Sequence, residues 1–241
     1  MALENFFEKG NKLAVFGSFI YNPKSANDLD FTLFTHQGKN PFYNPERSRL
    51  IRRFLRDQFG HFTQVLDFSG DTRDCSMPYD IDDLPNNDPR LDGYLLTARI
   101  FPDDSFLADH FRNEFGAEYL TRTFLRYIQY VRDIPESRRS MGWNFGFSKK
   151  YKDVAAIISA AKNFVKRSDS KMHGLEQLTE EYQRRYDELT AHFNRGEINI
   201  ETYSQKGRGM LYTFIFDIED RHIFPKRLLK GIYLDSYYRF G

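Results

Sequence analysis

"KLAVFGSFIYNPKSANDLDFTLFT", residues 12–35, contains two apolar segments of strand length separated by a turn-rich stretch. "KLAVF" is a short apolar run closed by Gly17, and "DLDFTLFT" alternates strictly, with Leu29, Phe31 and Leu33 on one face. The second run is unusual because Asp28 and Asp30 occupy the other face, although Asp is depleted from strands and like charges on one face repel. Side chains two residues apart on a strand stand about 6 to 7 Å apart, so the two carboxylates converge. Divalent cations would relieve that repulsion, and hard oxygen donors suit Mg²⁺ or Mn²⁺, which take a few carboxylates together with water and phosphate oxygens.

Two further features bear on that chemistry. Gly17-Ser18 closes the first strand and opens the next turn, where glycine allows close backbone approach and a hydroxyl with free N–H groups can cradle an anion. Asp67 lies between apolar neighbours in "VLDFS", within a strand-like segment at residues 62–69. If that strand pairs beside residues 28–34 in matching register, Asp67 completes a three-carboxylate cluster able to bind two metals and to accept a proton from an attacking hydroxyl.

Through these residues the chain resembles the nucleotidyltransferases of the DNA polymerase β superfamily. Their pattern is an apolar strand, Gly-Gly or Gly-Ser, an acidic-apolar-acidic strand, then a third acid on a later strand. Here it is carried by "FGS" at 16–18, "DLDF" at 28–31 and "LDF" at 66–68, and it covers roughly the first 70 residues. The resemblance implies transfer of a nucleoside monophosphate from an NTP to a hydroxyl, with Mg²⁺ or Mn²⁺ as cofactor. It also implies the roles: Asp28 and Asp30 as metal ligands, Asp67 as third ligand and base, and Gly17 and Ser18 as holders of the triphosphate. Many small members carry Arg-Gly after Gly-Ser, whereas this chain continues "FIYNPKSAN", leaving Lys24 and Ser25 as candidate substitutes.

The flanking sequence sets the expected architecture. "NPERSRLIRRFLRDQFG" reads as a helix with Pro45 in its first turn, a stripe of Leu50, Ile51, Phe54 and Leu55, and Gly60 as its stop. Residues 70–92 read as a polar loop rich in Asp, and 93–102 as a further strand. Helical spacing then covers 105–132, 151–167, 174–195 and 208–218, with an irregular interruption around "RDIPESRRSMGWNFGFSKK" and two helices joined at Gly196. The expected fold is α+β: a nucleotidyltransferase-type mixed sheet with flanking helices over residues 1–103, then a mainly helical domain over 104–241 that contributes to the nucleotide and acceptor cleft.

Composition narrows the partners. The 241 residues are 40% hydrophobic and 29% charged, with 24 Phe and 15 Tyr, which excludes a disordered or fibrous class. The formal net charge of +1 supplies no global attraction to nucleic acid or an anionic membrane. The one cysteine, Cys75, excludes an intrachain disulfide and a cysteine-cluster zinc site. Charges at Glu4, Glu8, Lys9 and Lys12 interrupt any signal-like segment, so a cytoplasmic location is expected. No apolar run approaches the roughly 20 residues of a membrane span.

The acceptor stays open between an RNA or tRNA 3′ end, a small molecule and a protein hydroxyl. A basic interval from Arg138 to Arg167, interleaved with Trp143, Phe145 and Phe147, is compatible with RNA or with an ordinary helix face over an aromatic core. The acidic 70–92 loop would favour a cationic small molecule if it lined the site. There is no H-E-x-x-H, no G-x-S-x-G elbow and no P-loop. The alternative reading is a catalytically silent descendant that binds nucleotide or RNA, or serves as a helical interaction module.

Overall fold

The computed structural model of the chain describes residues 12–16, 20, 30–35, 53–54, 57, 79–80, 96–140, 150–168 and 172–225. Two compact units divide it, Met1–Asp109 and His110–Gly241. The architecture is α+β, with five strands and four long helices among the described residues.

In the first unit, strand β1 (Lys12–Phe16) is central. Leu13, Ala14 and Val15 are all buried, so both faces of this strand are covered. Strand β2 (Asp30–Thr35) pairs antiparallel to one side of β1, and β4 (Arg99–Phe101) pairs antiparallel to the other. Two short strands extend this core: β3 (Tyr79–Asp80) parallel to β2, and β5 (Ser105–Phe106) antiparallel to β4. The sheet order is β3-β2-β1-β4-β5. Arg53, Phe54 and Asp57, from the segment read as a helix, are helical, and Phe54 meets Phe101 edge to face with ring centroids 6.0 Å apart. That contact sets Phe54 against the sheet.

Three expectations need correction here. The 70–92 segment is not wholly loop, because Tyr79–Asp80 pairs with Phe34 and Thr35. Of the strand expected over 93–102, Arg99–Phe101 is strand, whereas Leu96 and Thr97 are helical. Residues 105 and 106, expected to open a helix, instead close a hairpin in which Arg99 faces Phe106. The guanidinium stacks over that ring at 5.7 Å and pairs with Asp104 at 2.6 Å. A long stem and a planar cation let Arg99 serve both partners, which periodicity cannot register.

Helix α1 (Leu107–Ser140) is broken at Gly116, whose backbone is non-helical. Beyond the break, Leu120, Thr123, Phe124, Tyr127, Ile128 and Val131 form a buried stripe at helical spacing. The helix continues to Ser140 through Pro135, where an interruption was expected. A proline withholds one backbone donor, and the remaining helix can persist around it.

Helix α2 (Lys150–Arg167) buries a broad face, with Val154, Ile157, Ile158, Ala160, Ala161 and Phe164 each at most 1% exposed, and leaves Lys162 and Lys166 exposed on the other. Helix α3 (His173–Asn194) buries Leu175, Leu178, Thr179, Tyr182, Tyr186 and Leu189, and α4 (Ile200–Asp220) buries Tyr203, Leu211, Phe214, Ile215 and Ile218. The join between them falls at Gly196 as expected, with φ of 71° at the glycine and an Asn199 side chain accepting from the Thr202 N–H at 2.9 Å. Phe124 stacks on Phe164 with centroids 4.6 Å apart, and Phe224 closes against both at 6.0 Å. Arg132 ties α1 to α4 through Glu219 at 3.1 Å. No helix among the described residues is long and apolar enough to cross a membrane.

Candidate functional site

The candidate site begins with the pairing of β1 and β2. Their register sets Lys12 opposite Phe34, Leu13 opposite Leu33, Ala14 opposite Thr32, Val15 opposite Phe31 and Phe16 opposite Asp30. Asp30 is the first residue of β2, and Phe16 the last of β1. Directly opposed Cα atoms in such a ladder lie about 5 Å apart. The end of the strand that leads into Gly17-Ser18 is therefore the end at which the acidic strand begins.

Of the sequence-derived site residues, Asp30 falls within the described set; Asp28, Asp67, Gly17 and Ser18 lie outside the described residues. Lys24, Ser25, Trp143, Phe145 and Phe147 also lie outside them. Among the described residues, no group of three or more His, Cys, Asp or Glu side chains is arranged to hold a metal ion. The donor chemistry of the proposed set still suits a hard cation, because all three members are carboxylates.

On the other side of β1 the charges have local partners. Lys12 pairs with Asp103 at 2.7 Å, and Arg99 with Asp104, so both cations are engaged by the turn between β4 and β5. Sequence reading singled out neither pair, since each joins residues brought together by the β4–β5 hairpin or by β1–β4 pairing.

The basic interval divides in the helical unit. Lys162 is exposed and donates to Gln183 Oε1 at 2.7 Å. Arg167 is 5% exposed, and its Nη1 donates to the backbone and side-chain oxygens of Asn163, each at 3.1 Å. This arginine belongs to the folded end of α2 and not to a surface stripe of cations.

Two further polar clusters lie in this unit, one joining α3 and α4 and one in the turn after α3. Tyr182, its ring 1% exposed, donates to Asp217 Oδ2 at 2.9 Å, and Arg221 Nη2 reaches the same oxygen at 3.3 Å. Arg221 and Arg185 both contact Glu181. Burial pushes the Tyr182 phenol above its ordinary range, and the Asp217 carboxylate adds to that effect. A neutral phenol donating to a carboxylate is a fastening between helices and a poor nucleophile. At the turn after α3, Arg195 and His192 both bond Glu197, whose carboxyl falls to about 2 because it accepts first from Arg195 and then from His192.

Comparison with protein-family models, curated proteins and solved structures returns no match to this chain.

Proposed function

We propose that this protein is a metal-dependent nucleotidyltransferase that moves an NMP from an NTP to a hydroxyl acceptor, an RNA or tRNA 3′ end or a small molecule. One observation carries the reading: the antiparallel pairing of Phe16 with Asp30. Gly17 is one Cα step, about 3.8 Å, beyond Phe16, and Asp28 is two residues before Asp30. In this reading the Gly-Ser pair, which follows Phe16 in the chain, and the acidic pair, which includes Asp30, serve the end of the sheet where Phe16 and Asp30 are opposed.

In this reading Asp28, Asp30 and Asp67 hold Mg²⁺ or Mn²⁺. When bound, the ions align the α-phosphate and neutralise the charge that develops on it. Asp67 takes the proton of the acceptor hydroxyl. The hydroxyl oxygen forms a bond to the α-phosphorus, the bond from that phosphorus to the β-phosphate bridging oxygen breaks, and pyrophosphate leaves with the electron pair. Backbone N–H groups at Gly17-Ser18 hold the triphosphate so that the leaving oxygen stays in line with the attacking one.

The test is incubation with each labelled NTP, Mg²⁺ or Mn²⁺, and either total RNA or a panel of hydroxylated small molecules. Transfer is expected, and Asp30→Asn should lower it at least a hundredfold, since a ligand carboxylate supplies several kcal/mol of charge stabilisation. Undiminished transfer in Asp28→Asn and Asp30→Asn proteins would refute the site. The second reading, a silent nucleotide- or RNA-binding module, draws on "FIYNPKSAN" standing where Arg-Gly follows Gly-Ser in many relatives of that superfamily. NTP binding without transfer to any acceptor would favour it.

A further inference from the structure

Helix α1 contains a discontinuity that its sequence does not explain by packing. Gly116 has φ of 83° and ψ of 171°, a combination open in practice to glycine alone. Nothing lies within 4 Å of the position a Cβ would take there, so the glycine is needed for its backbone conformation and not for space. Among the described residues, none between Ala108 and Leu120 is buried, whereas the stripe beginning at Leu120 is buried through Val131. Phe115 and Tyr119 span the break with ring centroids 5.1 Å apart, and Phe115 is 39% exposed. The boundary between the two compact units, at Asp109 and His110, lies in the arm before the break.

We infer that Gly116 is a joint: the helical arms 107–115 and 117–140 change their angle about it. Sparse burial and a break in the helical ladder mark the low-stability end of a structure, where hinges are found. The joint does not depend on the nucleotidyltransferase reading, and its test involves no nucleotide.

In a Cys75→Ser background, nitroxide labels at Asn113 and Arg122, both exposed, straddle the break. A straight helix would hold these Cα atoms about 14 Å apart. Pulsed electron-electron resonance should give a broad distance distribution for this pair and a narrow one for a same-arm pair at Glu118 and Gln129. Gly116→Ala disfavours the positive φ by about ten-fold and should narrow the cross-break distribution toward the straight-helix value. A cross-break distribution no broader than the same-arm one, or one that a folded Gly116→Ala protein fails to narrow, overturns the joint. The same-arm comparison decides the matter if Gly116→Ala does not fold.

Discussion

Truncating Phe164 to Ala tests whether the aromatic cluster at the centre of the helical unit is a packed core. The Phe164 side chain is fully buried, stacked on Phe124 with 5° between the ring planes, and in contact with Phe224. Losing the burial of a phenyl group costs about 2 to 3 kcal/mol. The cavity left adds roughly 2 kcal/mol at about 24 cal/mol per Å³, since Phe164 is fully enclosed against Phe124 and Phe224. The expected loss is about 4 kcal/mol, a large part of the 5 to 15 kcal/mol typical of a whole domain. With a urea dependence of about 2 kcal/mol per molar, the midpoint should fall by roughly 2 M. Far-UV circular dichroism follows the transition, because the helical unit supplies most of the signal. Phe216→Ala, on α4 at 62% exposure, is the matched control and should change stability by no more than about 0.5 kcal/mol. Equal effects of the two truncations would refute the packing described for Phe124, Phe164 and Phe224.

Removing only the Tyr182 hydroxyl, as Tyr182→Phe, keeps the ring against Phe214 at 5.0 Å and deletes one bond to a carboxylate. Urea titration should read a loss of about 1 to 2 kcal/mol, limited because Arg221 still contacts Asp217. The raised phenol also has a pH consequence: its stabilisation is complete below the ordinary tyrosine range near 10 and is lost as pH climbs through the higher folded value. Ultraviolet titration near 295 nm should lose one late-ionising tyrosine in Tyr182→Phe, and retention of that late phase would assign it elsewhere. For Glu197, carboxyl NMR should show a midpoint of about 2, moving toward 4.5 in Arg195→Ala. Its depressed value gives a contribution present above 4.5 that fades as pH falls toward 2, and a midpoint unchanged by Arg195→Ala would exclude the pairing.

Much of the helical unit is legible without coordinates, because burial on α3 follows the 3.6-residue repeat from Leu175 to Leu189 and Gly196 marks the join. The alternation in residues 28–35 likewise announces β2, and the apolar run before Gly17 announces β1. Local signals fail where one residue has two readings. A single glycine in a helical pattern is usually tolerated, yet Gly116 breaks α1; a proline usually ends a helix, yet α1 passes Pro135. Asp-rich loop composition hides Tyr79–Asp80, whose strand character comes entirely from the β2 edge beside it.

For the candidate site, the sequence by itself supplied the candidates: Asp28 and Asp30 two residues apart, with Gly17-Ser18 before them. The tertiary structure decided which ends meet. The order β3-β2-β1-β4-β5 and the opposition of Phe16 to Asp30 rest on backbone hydrogen bonds between segments far apart in the chain. Every residue has the same backbone donor and acceptor, so no side-chain pattern within either strand specifies its partner; that choice is made when the buried faces of Leu13, Ala14 and Val15 are covered from both sides.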